Sequence, residues 1–341
     1  MTLAARIAAL VQLGEHLSRA TDEFLQASIK RTRIHNPWFT EANQWQAIGA
    51  IAEEFLQQEK LAAWIDPYNL SEPRTPRRIG LVMAGNLPLV GFHDLLCVFV
   101  SGHRAVIKLS EKDPYLLPAL LRSLYQIDPR TEDYFEVVER LQDFDAVIAT
   151  GSNNSSRYFE AYFGRYPHII RANRNGVAVL DGTESEDELR ALGQDVFAYF
   201  GLGCRNVAKL YLPQGYKFEP LLEALHTYNE IILHPKYKNN FDYNYALLVL
   251  NKEPFRANGC LLLREQSSIQ SPIACLHYEY YTDQEQLCRE LNTRANEIQV
   301  VTTQLSLDLA VPSFPLGQAQ RPRLQDYADG VDTLAFLREL A

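Results

Sequence analysis

The chain has 341 residues, a length that favours two domains over one. Apolar residues make up 47% and charged residues 22%, a balance that excludes a disordered chain. The net charge of −9 argues against a general nucleic-acid binder, because such proteins need a basic surface. No apolar run approaches the ~18–20 residues that a membrane span requires, so we expect a cytoplasmic protein without a transmembrane segment.

Cysteine usage and the lack of ligand motifs argue against disulfides and structural metals. The five cysteines are odd in number and widely spaced, without a CxxC pair. This pattern predicts thiols in a reducing compartment rather than a disulfide framework. No HExxH or other metal-binding motif occurs, so we expect no bound metal.

The first half of the chain begins with helical patterns and then alternates strands with helices. Leu3, Ile7, Leu10 and Leu17 recur at helical spacing, which predicts an amphipathic N-terminal helix. After a Pro-rich stretch, short apolar runs predict buried strands at 79–85, 104–110, 145–152 and 168–173. Helical patterns lie between these runs, and such alternation is typical of a parallel sheet covered by helices.

Asp113 and Pro114 predict the start of the helix that follows the second strand. Asp is a favoured N-cap, and Pro is a favoured first helical residue. Further along, a helical pattern at 186–201 and apolar runs predict a second α/β domain, with strands at 207–213, 245–251 and 298–304.

Polar residues and glycines end three of the predicted strands. Ligands of parallel sheets bind beyond the carboxyl ends of the strands, so these residues are candidates for a binding site. They are Gly85 and Asn86, then Lys108, Ser110 and Glu111, and finally Gly151 and Ser152. Ordinary turn chemistry and solvated loop charges also explain each of them when it is taken alone.

Cys204 lies in a glycine-flanked loop, residues 201–206, just before a predicted strand. The glycines allow close approach to the sulfur, and Arg205 with nearby backbone N–H groups favours the thiolate, which is the nucleophilic form. A small packed residue is the alternative, and the loop by itself leaves both interpretations open. Cys97 and Cys260 lie in apolar segments and fit the packing role better.

In their order along the chain, these segments resemble the aldehyde dehydrogenase superfamily. Its pattern is an Asn-x-Pro turn, a Lys-Pro-Ser-Glu turn, a Thr-Gly-Ser turn and a Gly-x-x-Cys loop. These appear here as NLP (86–88), KLSE (108–111), TGS (150–152) and GLGC (201–204). Within that superfamily the chain is most similar to the LuxC-type acyl-CoA reductases. The resemblance implies an α/β fold of two Rossmann-like domains with parallel-rich sheets and a crevice between them.

The resemblance also implies a role for each candidate residue. Cys204 is the expected nucleophile, which takes the acyl group from an acyl-CoA, and Asn86 is the expected oxyanion donor, helped by the Cys204 N–H. NADPH is the expected reductant of the resulting thioester, with NADH left open. The expected cofactor ligands are Lys108 and Glu111 near the adenosine ribose, Gly151 and Ser152 near the pyrophosphate, and also Ser110.

Two departures from the superfamily pattern refine these expectations. Hydrolytic members carry a water-activating Glu where this chain has residues 167–182, and that segment contains no Glu. This argues for a thiol rather than water as the partner of the acyl group. The superfamily segment that holds the nicotinamide ribose aligns with SSIQSPI (267–273), with Glu265 shortly before it as the candidate ligand.

The resemblance further implies that the chain divides into three segments. Residues 1–175 are expected to form N-terminal helices and the cofactor-binding domain, 176–305 the catalytic domain, and 306–341 a segment that returns to the first domain. The expected protein is an aldehyde-forming acyl-CoA reductase acting on a small-molecule thioester, with a homo-oligomer left open. Three alternatives remain: an acyl-phosphate or semialdehyde-type reductase, a non-redox acyl-transfer protein, and a homologue in which Cys204 is only packed.

Overall fold

The computed structural model describes residues 1–151 and 153–340 of the chain. The chain divides into two compact units, each with its own sheet and core. Unit 1 comprises Met1–Asn173 and Pro322–Ala341, and unit 2 comprises Arg174–Arg321. Along the chain, unit 2 is therefore an insertion in unit 1. No helix in the described part is long and apolar enough to span a membrane.

Unit 1 opens with four helices: α1 (Leu3–Arg19), α2 (Glu23–His35), α3 (Glu41–Ala50) and α4 (Gln58–Ile65). At the start of α1, the Thr2 hydroxyl accepts the Ala5 N–H at 3.3 Å, which satisfies one of the unpaired donors of the first turn. Leu10, Leu13 and Leu17 are buried on one face of this helix. The predicted amphipathic helix is therefore confirmed.

A fully parallel five-stranded sheet, sheet A, forms the centre of unit 1, with strand order β3-β2-β1-β4-β5. Its strands are β1 (Arg78–Val82), β2 (Arg104–Lys108), β3 (Phe135–Val137), β4 (Ala146–Thr150) and β5 (His168–Arg171). The helices that follow them are α5 (Phe92–Ser101), α6 (Leu116–Ile127) and α7 (Asn153–Phe163). The four predicted strands of this region are confirmed. The short edge strand β3 was not predicted, because only its first residue is buried and it lacks a clear apolar pattern.

The predicted start of α6 at Asp113 and Pro114 is wrong. The helix begins later, at Leu116, and Tyr115 occupies the cap position without a side-chain bond to the helix. The Asp113 side chain is buried, and its Oδ2 accepts the Leu89 N–H at 3.0 Å. Asp113 thus ties the turn after β2 to the turn after β1.

Unit 2 is built on a seven-stranded sheet, sheet B, with strand order β12-β11-β6-β7-β10-β9-β8. Its strands are β6 (Asn175–Val179), β7 (Val207–Pro213), β8 (Arg256–Ala257), β9 (Leu262–Glu265), β10 (Cys275–Tyr281), β11 (Ile298–Thr302) and β12 (Ser313–Phe314). Neighbouring strands are parallel except for the antiparallel pair of β8 and β9. The helices are α8 (Glu186–Phe197), α9 (Phe218–His226), α10 (Pro235–Leu250) and α11 (Gln284–Thr293). The predicted strands at 207–213 and 298–304 are confirmed.

One predicted strand of unit 2 is a helix. Residues 245–251, predicted as a strand, contain the last turns of α10. The buried residues of α10 are Tyr237, Asn244 and Leu248, which fall on one helical face. A short apolar run is compatible with a buried strand or a buried helix, and periodicity within the run did not separate the two.

The chain returns to unit 1 at Pro322 and ends with helix α12 (Thr333–Glu339). Residues 306–321 stay with unit 2, where β12 pairs with β11. The returning segment contributes four apolar residues to the core of unit 1: Leu324, Tyr327, Leu334 and Leu337.

Candidate active site

The carboxyl ends of β1, β2 and β4 lie at one edge of sheet A. Val82 at the end of β1 is in register with Lys108 at the end of β2, and its neighbour in β4 is Ala149. Lys108 is the last residue of β2, and Asn86 and Gly151 lie in the turns after β1 and β4. Since the strands are parallel, the predicted binding residues of unit 1 follow their strands at the same edge.

The turns after β1 and β2 are in close contact. The Met83 N–H donates to the Lys108 carbonyl at 3.0 Å. A Cβ added to Gly85 would lie 2.6 Å from the Ser110 Cβ, so only glycine allows this approach. The Ser110 hydroxyl accepts the Lys112 N–H at 3.2 Å, which orders the second turn.

The turn after β2 is held from two sides. The His35 ring nitrogen Nε2 lies 2.6 Å from the Glu111 carbonyl, and Asp113 accepts the Leu89 N–H. Leu89 has a φ of 56°, in the left-handed region. Burial raises the pKa of Asp113 to about 6. The Glu111 side chain stays exposed and the Lys108 side chain half-buried at this edge.

Gly151 allows α7 to approach the end of β4. A Cβ at this position would lie 2.7 Å from the Ser155 Cβ and 2.8 Å from the Phe159 ring. The Gly151 N–H donates to the Arg171 carbonyl at 3.3 Å and so extends the pairing of β4 with β5. Its structural role is therefore close helix packing. Ser152, the other predicted phosphate ligand, lies outside the described residues.

In unit 2, Cys204 follows a backbone segment of left-handed conformation. Tyr199, Phe200 and Gly201 have φ values of 51°, 61° and 75°. Two of the three are not glycine, and such residues cost about 1–3 kcal/mol each unless the surroundings hold them. The Phe200 ring packs against His234, with centroids 4.4 Å apart. The strained turn brings the chain from the end of α8 to the Cys204 loop.

Asn206 fastens the Cys204 loop to the end of α8. Its side chain is buried, and Oδ1 accepts the Gly203 N–H at 2.7 Å. Its Nδ2 donates to the carbonyls of Asp195 and Ala198, both at 2.9 Å. The Asn206 side chain thus joins the loop to two points of the preceding helix end.

Arg205, on the other side of Cys204, is held by a loop that precedes the return to unit 1. Its guanidinium donates to the Ala319 carbonyl and lies 4.7 Å from the Phe314 ring centre. The buried carboxylate of Asp195 accepts the N–H groups of Gly317 and Ala319 at 2.6 and 2.9 Å. Burial raises the pKa of Asp195 to about 6. At least part of the Arg205 guanidinium is therefore engaged in holding this loop.

Burial separates the cysteines into two groups. Cys97, Cys260 and Cys275 are buried, whereas Cys204 and Cys288 are half-buried. Burial raises the pKa of Cys97 well above its ordinary value and that of Cys260 to about 11. Both thiols stay protonated at neutral pH, which suits a packing role.

Glu265 lies on β9 of sheet B, two strands away from β7, the strand that follows Cys204. It is exposed at the carboxyl end of β9 and in register with Tyr278, a residue of β10. Tyr278 in turn pairs with Leu210, well inside β7, whereas Cys204 precedes the first residue of that strand. Within unit 2, β10 therefore lies between the strand that carries Glu265 and the strand that Cys204 precedes.

Several residues that shape the site were missed in the sequence. Asp195 and Lys209 act through partners far away in the chain, and Asn206 acts through the folded-back end of α8. Lys209 is fully buried, and its ammonium donates to the Ser267 carbonyl at 2.7 Å and pairs with Glu279. It thereby holds the segment that aligns with the superfamily's nicotinamide ribose segment. A charged residue inside an apolar strand was the only local signal for it.

Solved structures establish the fold. The aldehyde dehydrogenase KauB from Pseudomonas aeruginosa matches with a TM-score of 0.68 and 13% identity, covering 99% of this chain and 83% of that one. An indole-3-acetaldehyde dehydrogenase solved with NAD+ matches with a TM-score of 0.72 and 14% identity, covering 99% of this chain and 83% of that one. The chain has the aldehyde-dehydrogenase-like α/β fold, as the sequence predicted.

Curated relatives match a shorter part of the chain. The long-chain acyl-protein thioester reductase of Vibrio harveyi is 24% identical over 204 residues, which are 54% of this chain and 42% of that protein. The protein of the same name from Photorhabdus laumondii is 23% identical over 192 residues, which are 50% of this chain and 39% of that protein. The chain thus spans about two fifths of the length of these relatives.

The family described as Acyl-CoA reductase (LuxC) matches residues 43–227. This range is more than half of the chain, and it contains the three strand-end turns of unit 1 and the Cys204 loop. The chain belongs to the acyl-CoA reductase (LuxC) family.

Proposed function

We propose that this chain is an acyl thioester reductase that forms an aldehyde by way of a thioester on Cys204. The observation that carries the proposal is the half-buried Cys204 on a loop anchored at both neighbours, inside the range that the family matches. The names of the curated relatives, which describe thioester reduction, support the same reaction class.

The proposed first step is acyl transfer to sulfur. The Cys204 thiolate attacks the carbonyl carbon of an acyl-CoA and forms a new C–S bond. The Asn86 side-chain amide and the Cys204 N–H donate to the oxyanion. When the tetrahedral intermediate collapses, the CoA sulfur leaves with the electron pair of its C–S bond. The lack of a Glu in residues 167–182 favours this thiol chemistry over hydrolysis.

The proposed cofactor is NADPH, which would supply a hydride to the thioester carbon. The C–S bond to Cys204 then breaks, the Cys204 thiolate leaves with the electron pair, and the aldehyde is released. The edge of sheet A fits such a group in its donor chemistry, since an ammonium, a hydroxyl and a carboxylate follow β2. In the proposal, Lys108 and Glu111 hold the adenosine ribose, and Ser110 is a further cofactor ligand. Gly151 and Ser152 lie by the pyrophosphate, and Glu265 remains the candidate ligand of the nicotinamide ribose.

The experiment is NADPH consumption with a panel of acyl-CoAs of increasing chain length. Cys204→Ala should lower the rate at least about 10³-fold, because loss of a covalent nucleophile removes the acyl-enzyme route. Cys288→Ala removes the other half-buried thiol and should leave the rate unchanged. Full activity in Cys204→Ala would refute the proposal.

Three outcomes separate the alternatives. Preference for acyl phosphates over acyl-CoAs would assign the chain to the acyl-phosphate or semialdehyde-type reductases. A Cys204 acyl adduct without stabilisation by NADPH would indicate a non-redox acyl-transfer protein, since a ligand at 100 times its Kd adds about 2.7 kcal/mol. No adduct by mass spectrometry, or one that persists in Cys204→Ala, would leave Cys204 a packed residue.

A further inference from the structure

We infer that Asn206 is a positioning residue that fixes the backbone on both sides of Cys204 for acyl transfer; the acyl-transfer part of this inference rests on the proposed function. The inference starts from the number of bonds that one buried side chain makes. Asn206 is 2% exposed, and its amide both accepts from the Gly203 N–H and donates to the end of α8.

The backbone of Asn206 adds to the same connection. Its N–H donates to the Gly203 carbonyl at 3.1 Å, so residues 203 and 206 are joined by two bonds that close a tight turn around Cys204. Its carbonyl accepts the Gly176 N–H at 2.9 Å, which anchors the turn to β6. A Cβ at Gly176 would lie 2.7 Å from the Arg205 carbonyl, so the turn also packs tightly against this strand.

The strained segment before Cys204 explains why such a connection is needed. Left-handed non-glycine residues persist only where the surrounding structure fixes them. Tyr199 and Phe200 are two such residues in succession, and Nδ2 of Asn206 donates to the Ala198 carbonyl directly before them. Removing the Asn206 amide removes the bond from Nδ2 to the Ala198 carbonyl, which connects the residue before the strained segment to the residues after it.

These bonds converge on the neighbours of Cys204. Gly203 is held by Asn206, and Arg205 is held by the Ala319 carbonyl. The Cys204 backbone N–H therefore has a fixed direction between two anchored residues, and the side chain starts from a fixed Cα. Acyl transfer depends on that direction, whereas alkylation by a small reagent depends on access to the sulfur and on its thiolate fraction, and needs no oriented oxyanion donor.

The test compares Asn206→Ala with Asn258→Ala. Asn258 is a half-buried control in unit 2 with a similar bond pattern: its Oδ1 accepts the Leu261 N–H at 2.9 Å, and its Nδ2 donates to the Leu222 carbonyl at 3.1 Å. It lies before β9, away from the Cys204 loop. If Asn206→Ala does not yield folded protein, Asn206→Ser replaces it, because its shorter hydroxyl cannot span both sides of the turn.

Two reactions are followed on each intact variant by mass spectrometry. The first is iodoacetamide alkylation of Cys204 relative to Cys288 in the same molecules. Loss of buried hydrogen bonds should open the loop and raise this ratio about tenfold in Asn206→Ala. The second is single-turnover transfer of an acyl group from a long-chain acyl-CoA, which should slow about 100-fold because the reacting groups are misplaced. Asn258→Ala should change neither.

The outcomes separate the inference from the proposed function. An unchanged alkylation ratio in Asn206→Ala, or an equal change in Asn258→Ala, would overturn the positioning role. If the wild-type chain takes no acyl group while the ratio rises only in Asn206→Ala, the proposed function fails and Asn206 still fixes the Cys204 loop. A raised ratio together with slow acyl transfer supports both.

Discussion

At the scale of single residues, two buried carboxylates connect loops, a role that the sequence did not reveal. Asp113 joins the turns after β1 and β2, and Asp195 holds the loop that carries Gly317. Both side chains are buried and accept backbone N–H groups, and burial raises both pKa values to about 6. Asp113 was predicted as a helix cap because local sequence shows the residue type but not its partner.

The raised pKa of Asp113 predicts a measurable pH dependence of stability. The folded chain holds this proton between the ordinary pKa of 3.8 and about 6, so the free energy of unfolding falls as pH rises through that window. Asp113→Asn removes the ionisation. The stability of the variant relative to the wild type should therefore increase from pH 4 to pH 7, by up to about 3 kcal/mol. Urea unfolding of both proteins at the two pH values measures this, and an equal difference at both would contradict it.

At the scale of elements, the sequence revealed sheet A better than the parts of unit 2. Buried parallel strands such as β1 and β4 have continuous apolar runs that end in glycine or polar residues, and these are local signals. The run at 245–251 also ends in a polar residue, Asn251, so its end did not distinguish a helix from a strand, and its assignment as a strand was wrong. The Asn206 connection was not predictable, because its side chain reaches back to Asp195 and Ala198 only after α8 and the strained turn have formed.

The strained turn itself gives a prediction at this scale. Gly201 has a φ of 75°, where a side chain costs about 1–2 kcal/mol, and an added Cβ would meet only the Val196 carbonyl, at 3.5 Å. Gly201→Ala should therefore destabilise the chain by that strain alone. Gly49, inside α3, also has open space around its Cα, and Gly49→Ala should stabilise by about 1 kcal/mol. Thermal unfolding of the two variants tests the opposite signs, and a stabilising Gly201→Ala would show that this turn is not left-handed.

At the scale of the whole molecule, side-chain hydrogen bonds join the N-terminal part of unit 1 to the C-terminal segment that returns to it. The Trp64 indole N–H donates to the Tyr327 hydroxyl at 2.8 Å, and the Tyr68 and Tyr327 hydroxyls are 2.7 Å apart. The buried Arg171 pairs with Asp94 at 2.5 Å and also donates to Thr333 at 2.8 Å. The resemblance implied a returning C-terminal segment, but these partners were not predictable, because no local pattern links residues so far apart.

Because the C-terminal segment completes unit 1, we predict that a core mutation in one unit changes the unfolding transition of that unit and not of the other. Leu334 of α12 and Leu221 of α9 are both fully buried, in the cores of unit 1 and unit 2 respectively. Replacing either by Ala should cost about 2–5 kcal/mol. All three tryptophans of the chain lie in unit 1, at positions 38, 45 and 64, so tryptophan fluorescence reports the unfolding of that unit.

In urea, Leu334→Ala should lower the urea midpoint of the fluorescence transition. Leu221→Ala should leave the fluorescence midpoint unchanged. Circular dichroism follows both units, so Leu221→Ala should shift to lower urea only the part of that transition that belongs to unit 2. The physical reason is that each leucine packs in the core of one unit, so the lost contacts belong to that unit's own unfolding equilibrium. If both variants shift the fluorescence midpoint equally, the inserted unit and its host unfold as one cooperative body. Residues 322–340 would then stabilise the whole chain rather than unit 1 alone.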